Sequence, residues 1–434
     1  MKISKTRAPG ATAPSRLPRR RLLCTTVAFG TAALIAVPAS AMAQGAPTDV
    51  VSQANGRLVS ASVLSGSLLD SLITLKGATA VNTDARGDVI VDTPVDASAV
   101  AGLVNLKVGT TNLPVFGDAG IIRLGGVGQF GRANDDGSSA AFSGTVSAAP
   151  SLIGVNTVTA GPAVGSPSNG SSAELKVGTA ALLGGPDLVN LDATIGVLAA
   201  SAREDTSGAQ TGQYRLTDLG IGVGGTLVAA PTDTLHTAVD SLITALAAAG
   251  ATGLTNPFAA DGRITLTLAD LQAAGLGSDL DTLPADTDLL SYVPRAVVLK
   301  ITALTNALLA QAATVVAALP GPSQPAALAA LAIAHNLIDP VISALGGVLE
   351  GPLGAAVDAV AQLDVNHQTT ANGTFTETAL RVGLGADGSL ASVDLASASV
   401  GPNGGPSVVT PPTTPPTTPP TTKPSQPTLP RVAG

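Results

Sequence analysis

Residues 127–147, VGQFGRANDDGSSAAFSGTVS, hold the pattern from which the fold class follows. Val127–Asn134 reads as a strand, Asp135-Asp136-Gly137 as a polar turn and Ser138–Ser147 as the return strand. An Asp-Gly pair supplies the positive backbone angles of a tight hairpin. The return strand alternates small polar and apolar residues through Ala141, Phe142, Ser143, Gly144, Thr145 and Val146, the period of a half-buried strand. Two more units have the same form. Ala193–Ala202 turns at Arg203–Gly208 and returns through Tyr214 and Leu216. Gln362–Thr370 turns at Ala371-Asn372-Gly373 and returns through Phe375 and Leu380. The repeat is too irregular for a solenoid.

Working outward, residues 50–230 and 362–400 are strand-like runs of Val, Leu, Ile, Thr and Ala punctuated by Gly, Asn, Asp and Pro. Residues 232–361 change period. Leu235, Val239, Leu242 and Leu246 form a helical stripe, with Thr232 or Asp233 as its cap and Gly250 as its stop. A second stripe, Val297, Ile301, Leu304, Leu308, Val315 and Leu319, stops at Pro320. Ser323 caps a third helix carrying Leu328, Leu331 and Ile338. Asp339-Pro340 opens a fourth, carrying Ile342, Leu345, Leu349, Leu353 and Val357, with breaks at Gly346-Gly347 and Gly351-Pro352. The order strand, helix, strand predicts an α+β fold: a mostly antiparallel sheet with a block of Leu/Val/Ala helices packed on it. Val297–Leu319 is long enough to cross a bilayer. Lys300, Thr302, Thr305, Asn306, Gln311 and Thr314 interrupt it, so a buried or paired helix is the better reading.

The two ends differ from this body. Residues 1–43 have the three parts of an export signal. Lys2, Lys5, Arg7, Arg16, Arg19, Arg20 and Arg21 precede an apolar run from about Leu22 to Val37, and Ala39-Ser40-Ala41-Met42-Ala43 follows with cleavage favoured after Ala43. Arg19-Arg20-Arg21-Leu22-Leu23 also suits the twin-arginine route, and the sequence leaves the two routes open. Residues 405–434 carry Pro-Pro-Thr-Thr repeats that favour an extended polyproline stalk or linker, on the order of 90 Å long at ~3.1 Å per residue. The domain plan is thus 1–43 signal, 44–404 ectodomain and 405–434 stalk.

Composition narrows the function. Cys24 is the one cysteine of the chain and lies in the signal, so a mature form has no disulfide or thiolate chemistry. Without the seven basic residues of the signal, 15 Lys and Arg face 30 Asp and Glu, a net of −15 that argues against nucleic acid or anionic lipid as partner. Aromatic residues are 2% of the chain and Trp is absent. Carbohydrate and peptide sites lean on aromatic anchors, so carbohydrate recognition is disfavoured. Charged residues make up 12%, half the usual ~25%, which leaves Ser, Thr, Gly and Asn to cover the exterior.

The chemistry-bearing residues form no recognisable site. His236 and His335 sit on separate predicted helices with no carboxylate or second His at i+4 in a metal-ligand pattern, His335 on the apolar stripe between Leu331 and Ile338, and both read as packed or edge histidines; His367 is the third. No G-x-S-x-G elbow, H-E-x-x-H or P-loop is present. Asn134-Asp135-Asp136-Gly137 has oxygen donors but not the spacing of a calcium loop, and a hairpin turn accounts for it. Arg86-Gly87-Asp88 spells an adhesion tripeptide in a loop where such triplets arise by chance. The expectation is therefore no catalytic residue, no metal and no cofactor.

Several segments together resemble the choice-of-anchor G family of actinobacterial surface proteins. They are Ser52-Gln53-Ala54-Asn55-Gly56-Arg57, Gly77-Ala78-Thr79-Ala80-Val81-Asn82-Thr83, the Gln129–Ser147 hairpin and Leu280-Asp281-Thr282-Leu283-Pro284-Ala285-Asp286-Thr287-Asp288-Leu289-Leu290. The resemblance spans most of residues 50–400 and implies an ectodomain held at the envelope by varying C-terminal devices, with no activity to carry over. At the end of this chain Leu429-Pro430-Arg431-Val432-Ala433 departs from a sortase signal, which favours release or non-covalent wall association. The expected role is non-catalytic, secreted or envelope-associated, with cell-wall components or surface proteins of a host or neighbouring cell as partners and no nucleic acid. A carrier of lipid or another apolar ligand, held between helices and sheet, is the alternative.

The stalk boundary is testable by truncation. Ending the chain after Gly404 should leave the melting temperature nearly unchanged, whereas ending it after Gly388 removes a strand with Val393 and Leu395 and should cost several kcal/mol. Equal melting of the two truncated proteins would place the boundary elsewhere.

Overall fold

The structure is a computed structural model. It describes residues 50–61, 76–95, 105–108, 111–114, 122–123, 126–161, 173–183 and 186–404; the signal expected over 1–43 and the stalk expected over 405–434 lie outside the described residues. The chain is α+β, as its pattern predicts, and the paired strands are antiparallel throughout.

The strands are β1 Ser52–Ala61, β2 Ala78–Asn82, β3 Val89–Pro94, β4 Asn105–Val108, β5 Thr111–Pro114, β6 Ile122–Arg123, β7 Val127–Ala133, β8 Ser139–Thr145, β9 Ala173–Gly178, β10 Asn190–Ile195, β11 Val197–Glu204, β12 Gln210–Thr217, β13 Gly220–Gly224, β14 Ile264–Thr267, β15 Thr287–Asp288, β16 Ala361–Ala371, β17 Thr374–Leu384 and β18 Ala391–Val400. They form a six-stranded sheet ordered β15-β16-β17-β18-β1-β2, a five-stranded sheet β12-β11-β8-β7-β3, a second five-stranded sheet β14-β13-β10-β9-β6, and the hairpin β4-β5. The α-helices among the described residues are α1 Ala149–Ile153, α2 Thr179–Leu183, α3 Thr226–Ala248, α4 Leu268–Ala273, α5 Val293–Ala317, α6 Gln324–Leu345 and α7 Gly351–Val360, with a π-turn at Gly346–Glu350.

In the six-stranded sheet the first described strand pairs with the last: Ala54 faces Val400 and Val59 faces Leu395. The chain runs on in the same bonding as far as Gly404, whose amide donates to Val50 O. One row across this sheet, Leu58, Ala396, Ala379 and Asn366, marks a change of parity. In β18 the buried apolar positions are Ala391, Val393 and Leu395 before the row and Ala396, Ala398 and Val400 from it onward; β1 and β17 switch at the same level. Ala396 and Asn366 both have φ 56° there. A left-handed residue interrupts the pleat, so the side chains beyond it resume out of phase.

Beyond that row the sheet lies against the β12-β11-β8-β7-β3 sheet at short range. Sheets stacked face to face normally sit about 10 Å apart, yet Cα atoms of β1 lie within 8 Å of those of β7 and β8. Glycines make this possible. A Cβ on Gly56 would stand 2.0 Å from Phe142 O and 2.6 Å from Phe130 O, and one on Gly131 would stand 2.4 Å from Ala78 O. The shortage of large side chains seen in the composition is thus used here as a means of close backbone approach.

The other half of the six-stranded sheet shares one core with the β14-β13-β10-β9-β6 sheet and the helices. Leu363, Val365, Val382 and Leu384 meet Leu191, Ile221 and Leu266, and also Leu242, Ile301, Ile338 and Leu353 from the helices. A smaller core around Phe130, Phe142, Leu152 and Ile153 lies beneath α1.

Three local expectations need correction. Ala193–Ala202 is two strands, not one. The chain changes sheets at Gly196, where a Cβ would strike Asp218 Oδ2 at 2.5 Å, so β10 and β11 belong to different sheets. Neither Thr232 nor Asp233 caps α3, which begins at Thr226. The first amides there, of Thr226 and Leu227, already donate to Asp187 O and Leu188 O; Thr232 is buried with its hydroxyl 2.8 Å from Val228 O. Asp339-Pro340 opens no new helix, since α6 runs through it to Leu345. The buried stripe Leu331, Ala334, Ile338, Leu345 is continuous, and the carbonyl of Asn336 that Pro340 leaves unbonded lies on an exposed turn where water can satisfy it. The hairpins at Asp135–Gly137 and at Asn372-Gly373 stand as expected, the latter with φ 52° and 80°. α5 buries Val297, Ile301, Leu308 and Val316, while by length and composition alone Leu289–Ala317 and Gln324–Leu345 could each span a bilayer.

Gly56→Ala should destabilise the protein by about 3 kcal/mol or more, because the backbone oxygens that face it cannot rotate away. Gly321→Ala, where nothing lies within 4 Å of the added carbon, is the control and should change stability by less than ~0.5 kcal/mol in the same urea titration.

Candidate functional site

A cleft of about 490 Å³ opens between the exposed edge of β12, the end of α1, the segment after α4 and the outer half of β16. Its walls are polar: Gln213, Tyr214, Arg215, Asp281, Asn366 and Gln368 line it together with Ser151 and Gly212. β12 is an edge strand, so it offers side chains and unpaired backbone to a neighbour. The segment Leu280–Asp288, one of the stretches carrying the family resemblance, closes over that edge.

Tyr214 is the pin. Its hydroxyl donates to Leu280 O and accepts from the amide of Leu283 at 2.8 Å. Burial first, and the nearby carboxylates Asp281, Glu377 and Asp279 after it, push the phenol up to about 12. Asp281 accepts from the Leu216 amide at 2.8 Å, Asn366 donates to Leu283 O at 2.8 Å, and Gln368 donates to Asn366 Oδ1 at 2.8 Å. The polar groups of the cleft therefore hold the Leu280–Asp288 segment to the sheets.

Beside the cleft lies a charged cluster on β16 and β17. His367 Nδ1 meets Asp286 Oδ1, and its Nε2 lies 2.8 Å from Arg381 Nη1. Arg381 Nε also stands 3.2 Å from Asp394. Burial raises Asp364, with the charge of Asp286 adding to it and those of His367 and Arg381 opposing. Asp288 is raised by burial although it accepts from the amides of Leu363 and Leu290. Neither ring nitrogen of His367 faces a hydroxyl, so the cluster has an acid and a base but no nucleophile to activate.

Glu377 is the most unusual group. It sits in β17 opposite Gln368, 0% exposed; neither carboxyl oxygen makes a well-formed hydrogen bond, and the Gln368 amide is the one donor that acts on it. A Cβ on Gly212 of the facing sheet would stand 2.1 Å from its Oε2. Burial pushes the acid up to about 8, with the Gln368 amide pulling the other way and Asp286 adding slightly. Glu377 is thus protonated at neutral pH. In the sequence it lies between threonines on a strand and reads as a solvent-facing residue; no local signal marks it.

The other singled-out residues are structural. His236 has Asp240 one turn on, at 3.1 Å, and His335 has Asp339 at 3.5 Å, so the absence of i+4 acids expected from the sequence is wrong. Both are two-residue pairs, and among the described residues no group of three His, Cys, Asp or Glu could hold a metal ion. Asp136 accepts from the amide and hydroxyl of Ser138, bonds that lower its carboxyl and close the hairpin turn. Asp88 of the Arg-Gly-Asp triplet is held by Arg132 at 2.6 Å rather than presented. The sequence reading also passed over Gly220-Ile221-Gly222-Val223-Gly224-Gly225, a G-x-G-x-x-G ahead of a helix. The first amides of α3 are already bonded to Asp187 O and Leu188 O, so they cradle no phosphate.

A family described as a domain of unknown function, DUF8394, matches residues 54–257 and 292–401, and the chain belongs to it. The match includes Tyr214, Asn366, Gln368 and Glu377 and leaves out Asp281 and Leu283 of the closing segment. No curated protein and no solved structure matches the chain.

Glu377 gives a pH prediction. The unfolded carboxyl ionises near 4.5 and the folded one near 8, so the folded state binds the extra proton in between. Its contribution to stability is full below the unfolded value and is lost as pH rises toward 8. Melting temperature should therefore fall between about pH 5 and pH 8.5, and Glu377→Gln should remove most of that slope, a difference on the order of 3 kcal/mol at the alkaline end. A variant whose slope equals that of the parent protein would refute the assignment.

Proposed function

We propose that this member of the DUF8394 family is a non-catalytic protein, secreted or held at the cell surface, with a structural or interaction role at the bacterial envelope. The observation that carries this reading is the use of the cleft's polar groups. Tyr214, Asp281, Asn366 and Gln368 are each bonded to the backbone or to one another, so they fix the fold of the closing segment. His367 likewise has both nitrogens taken by Asp286 and Arg381. A catalytic site needs donors and acceptors left facing the substrate.

The export-signal pattern over residues 1–43, the low charge and the resemblance to choice-of-anchor G proteins support a place outside the cytoplasm. The cleft does not favour a carrier of acyl chains, because Arg215, Asp281 and Gln368 in its walls would have to be desolvated against a lipid tail.

Mass spectrometry of protein isolated separately from medium, wall and cytoplasm of the native host tests this reading. The expected result is a chain beginning near Gln44 in the medium or wall fraction. An intact Met1 form confined to the cytoplasm would overturn it, as would a hydrolytic activity lost on His367→Ala.

A further inference from the structure

Strand β12 has β11 on one side and no strand on the other, and the cleft opens along that free side. Antiparallel strands bond at alternate residues. At the hairpin turn the Asp205 amide donates to Ala209 O. Counted from there in the register Arg203–Thr211, Ser201–Gln213 and Ala199–Arg215, the backbone groups of Thr211, Gln213 and Arg215 turn to β11, and those of Gly212, Tyr214 and Leu216 turn to the cleft. Leu216 shows this phase directly, because its amide meets Asp281 Oδ1 at 2.8 Å. The Asp281 carboxylate thus fills the place of a neighbouring strand's carbonyl at one rung. At the next two rungs, Tyr214 and Gly212, no described residue meets the outward amide or carbonyl.

A charged donor is open beside them. The Arg215 side chain lines the cleft and is 41% exposed, and its Nε is buried without a hydrogen-bond partner. Asp281 Oδ2 stands 3.7 Å from that nitrogen, beyond hydrogen-bond length. Ser151 and Leu152 of α1 and Asn366 and Gln368 of β16 line the same cleft.

We propose that the cleft takes an extended peptide as one further strand on β12, with an acidic side chain of that peptide on Arg215. The proposal deepens the interaction role argued above and rests on that reading for the kind of role alone, not for the place where it is exercised. Two complementarities select this occupant. Rungs that each offer a donor and an acceptor, roughly 7 Å apart, match the backbone of a strand of about four or five residues; a lipid tail or a phosphate backbone has no donors to return. The unmet guanidinium calls for a carboxylate, which sets the charge of the side chain. A second copy is the weaker occupant, since its own β12, Gln210–Thr217, carries no acid to meet Arg215. The bonds of Tyr214 and Asp281 hold the edge in place before a peptide arrives, so little order has to be gained on binding.

The test is calorimetric titration of the purified full chain with acetylated, amidated peptides Thr-X-Glu-X-Thr, X being Val, Ile, Thr or Tyr in turn. At least one should bind with saturation below about 1 mM. Its analogue with every backbone amide N-methylated should not bind, because it lacks the donors of a strand. Arg215→Gln should weaken the Glu peptide roughly tenfold or more, and the peptide with Gln in place of Glu should not distinguish the two proteins. The Arg215 side chain is partly exposed, so the variant should melt close to the parent. The proposal is overturned if no peptide binds up to that concentration, if the methylated analogue binds as well as the peptide, or if Arg215→Gln binds the Glu peptide as the parent does. Peptide recovered from the titration should be intact. Cleavage would overturn the non-catalytic reading and leave the strand site standing, whereas failure to bind would remove the site and leave that reading.

Discussion

The backbone oxygen of Phe142 occupies the place where any side chain on Gly56 would begin. That contact, repeated at Gly131 against Ala78, sets the distance between the two main sheets, and much else follows from the distance. At such a range glycine and alanine stand at the closest points, and larger side chains such as Phe375 and Glu377 fit only opposite a glycine, Gly212. The Leu and Val residues are accordingly gathered at the other end of the six-stranded sheet, where helices cover it. The row through Leu58, Ala396, Ala379 and Asn366 is the joint between the two regimes. Two left-handed residues there shift the pleat, so one continuous sheet can present a small-residue surface to a sheet and a Leu/Val surface to helices.

The buried acid follows from the same constraint. Glu377 lies on the small-residue half of the sheet, and Gly212 across from it gives the carboxyl space but no donor. An acid sealed in this way holds its proton up to about pH 8 because ionisation would leave a charge with no solvent and only the Gln368 amide to meet it. A few residues away, the same edge strand holds Tyr214, whose hydroxyl has a donor and an acceptor and which pins Leu280–Asp288 in place. The polar groups of the cleft thus serve to hold that segment against the sheets.

The helical layer solves a different problem. α3, α5 and α6 bury one stripe each and leave their outer surfaces to Ala, Thr and a few Leu and Ile. From residue 301 to residue 349 the only formal charge is Asp339.

The sequence by itself determined the α+β class, the order strand-helix-strand, and the hairpins at Asp135–Gly137 and Asn372-Gly373, because period and turn chemistry are local properties of a few adjacent residues. It also placed the apolar stripe of α3 correctly and that of α5 in part, since Val297, Ile301 and Leu308 are buried but Val316 takes the place expected for Val315. It misplaced the start of α3 and broke α6 at Pro340, since helix limits there depend on amides met by Asp187 and Leu188 and on a buried stripe that outweighs one lost bond. Gly196 looked like one more residue of a strand, and only the approach of Asp218 shows it to be a corner between sheets. The Asp286, His367 and Arg381 cluster, the pinning of Tyr214 and the sealing of Glu377 were decided by tertiary structure alone. Each depends on residues far apart in the chain, such as Gly212 against Glu377, and a protonated acid requires neighbours on every side that no local pattern encodes.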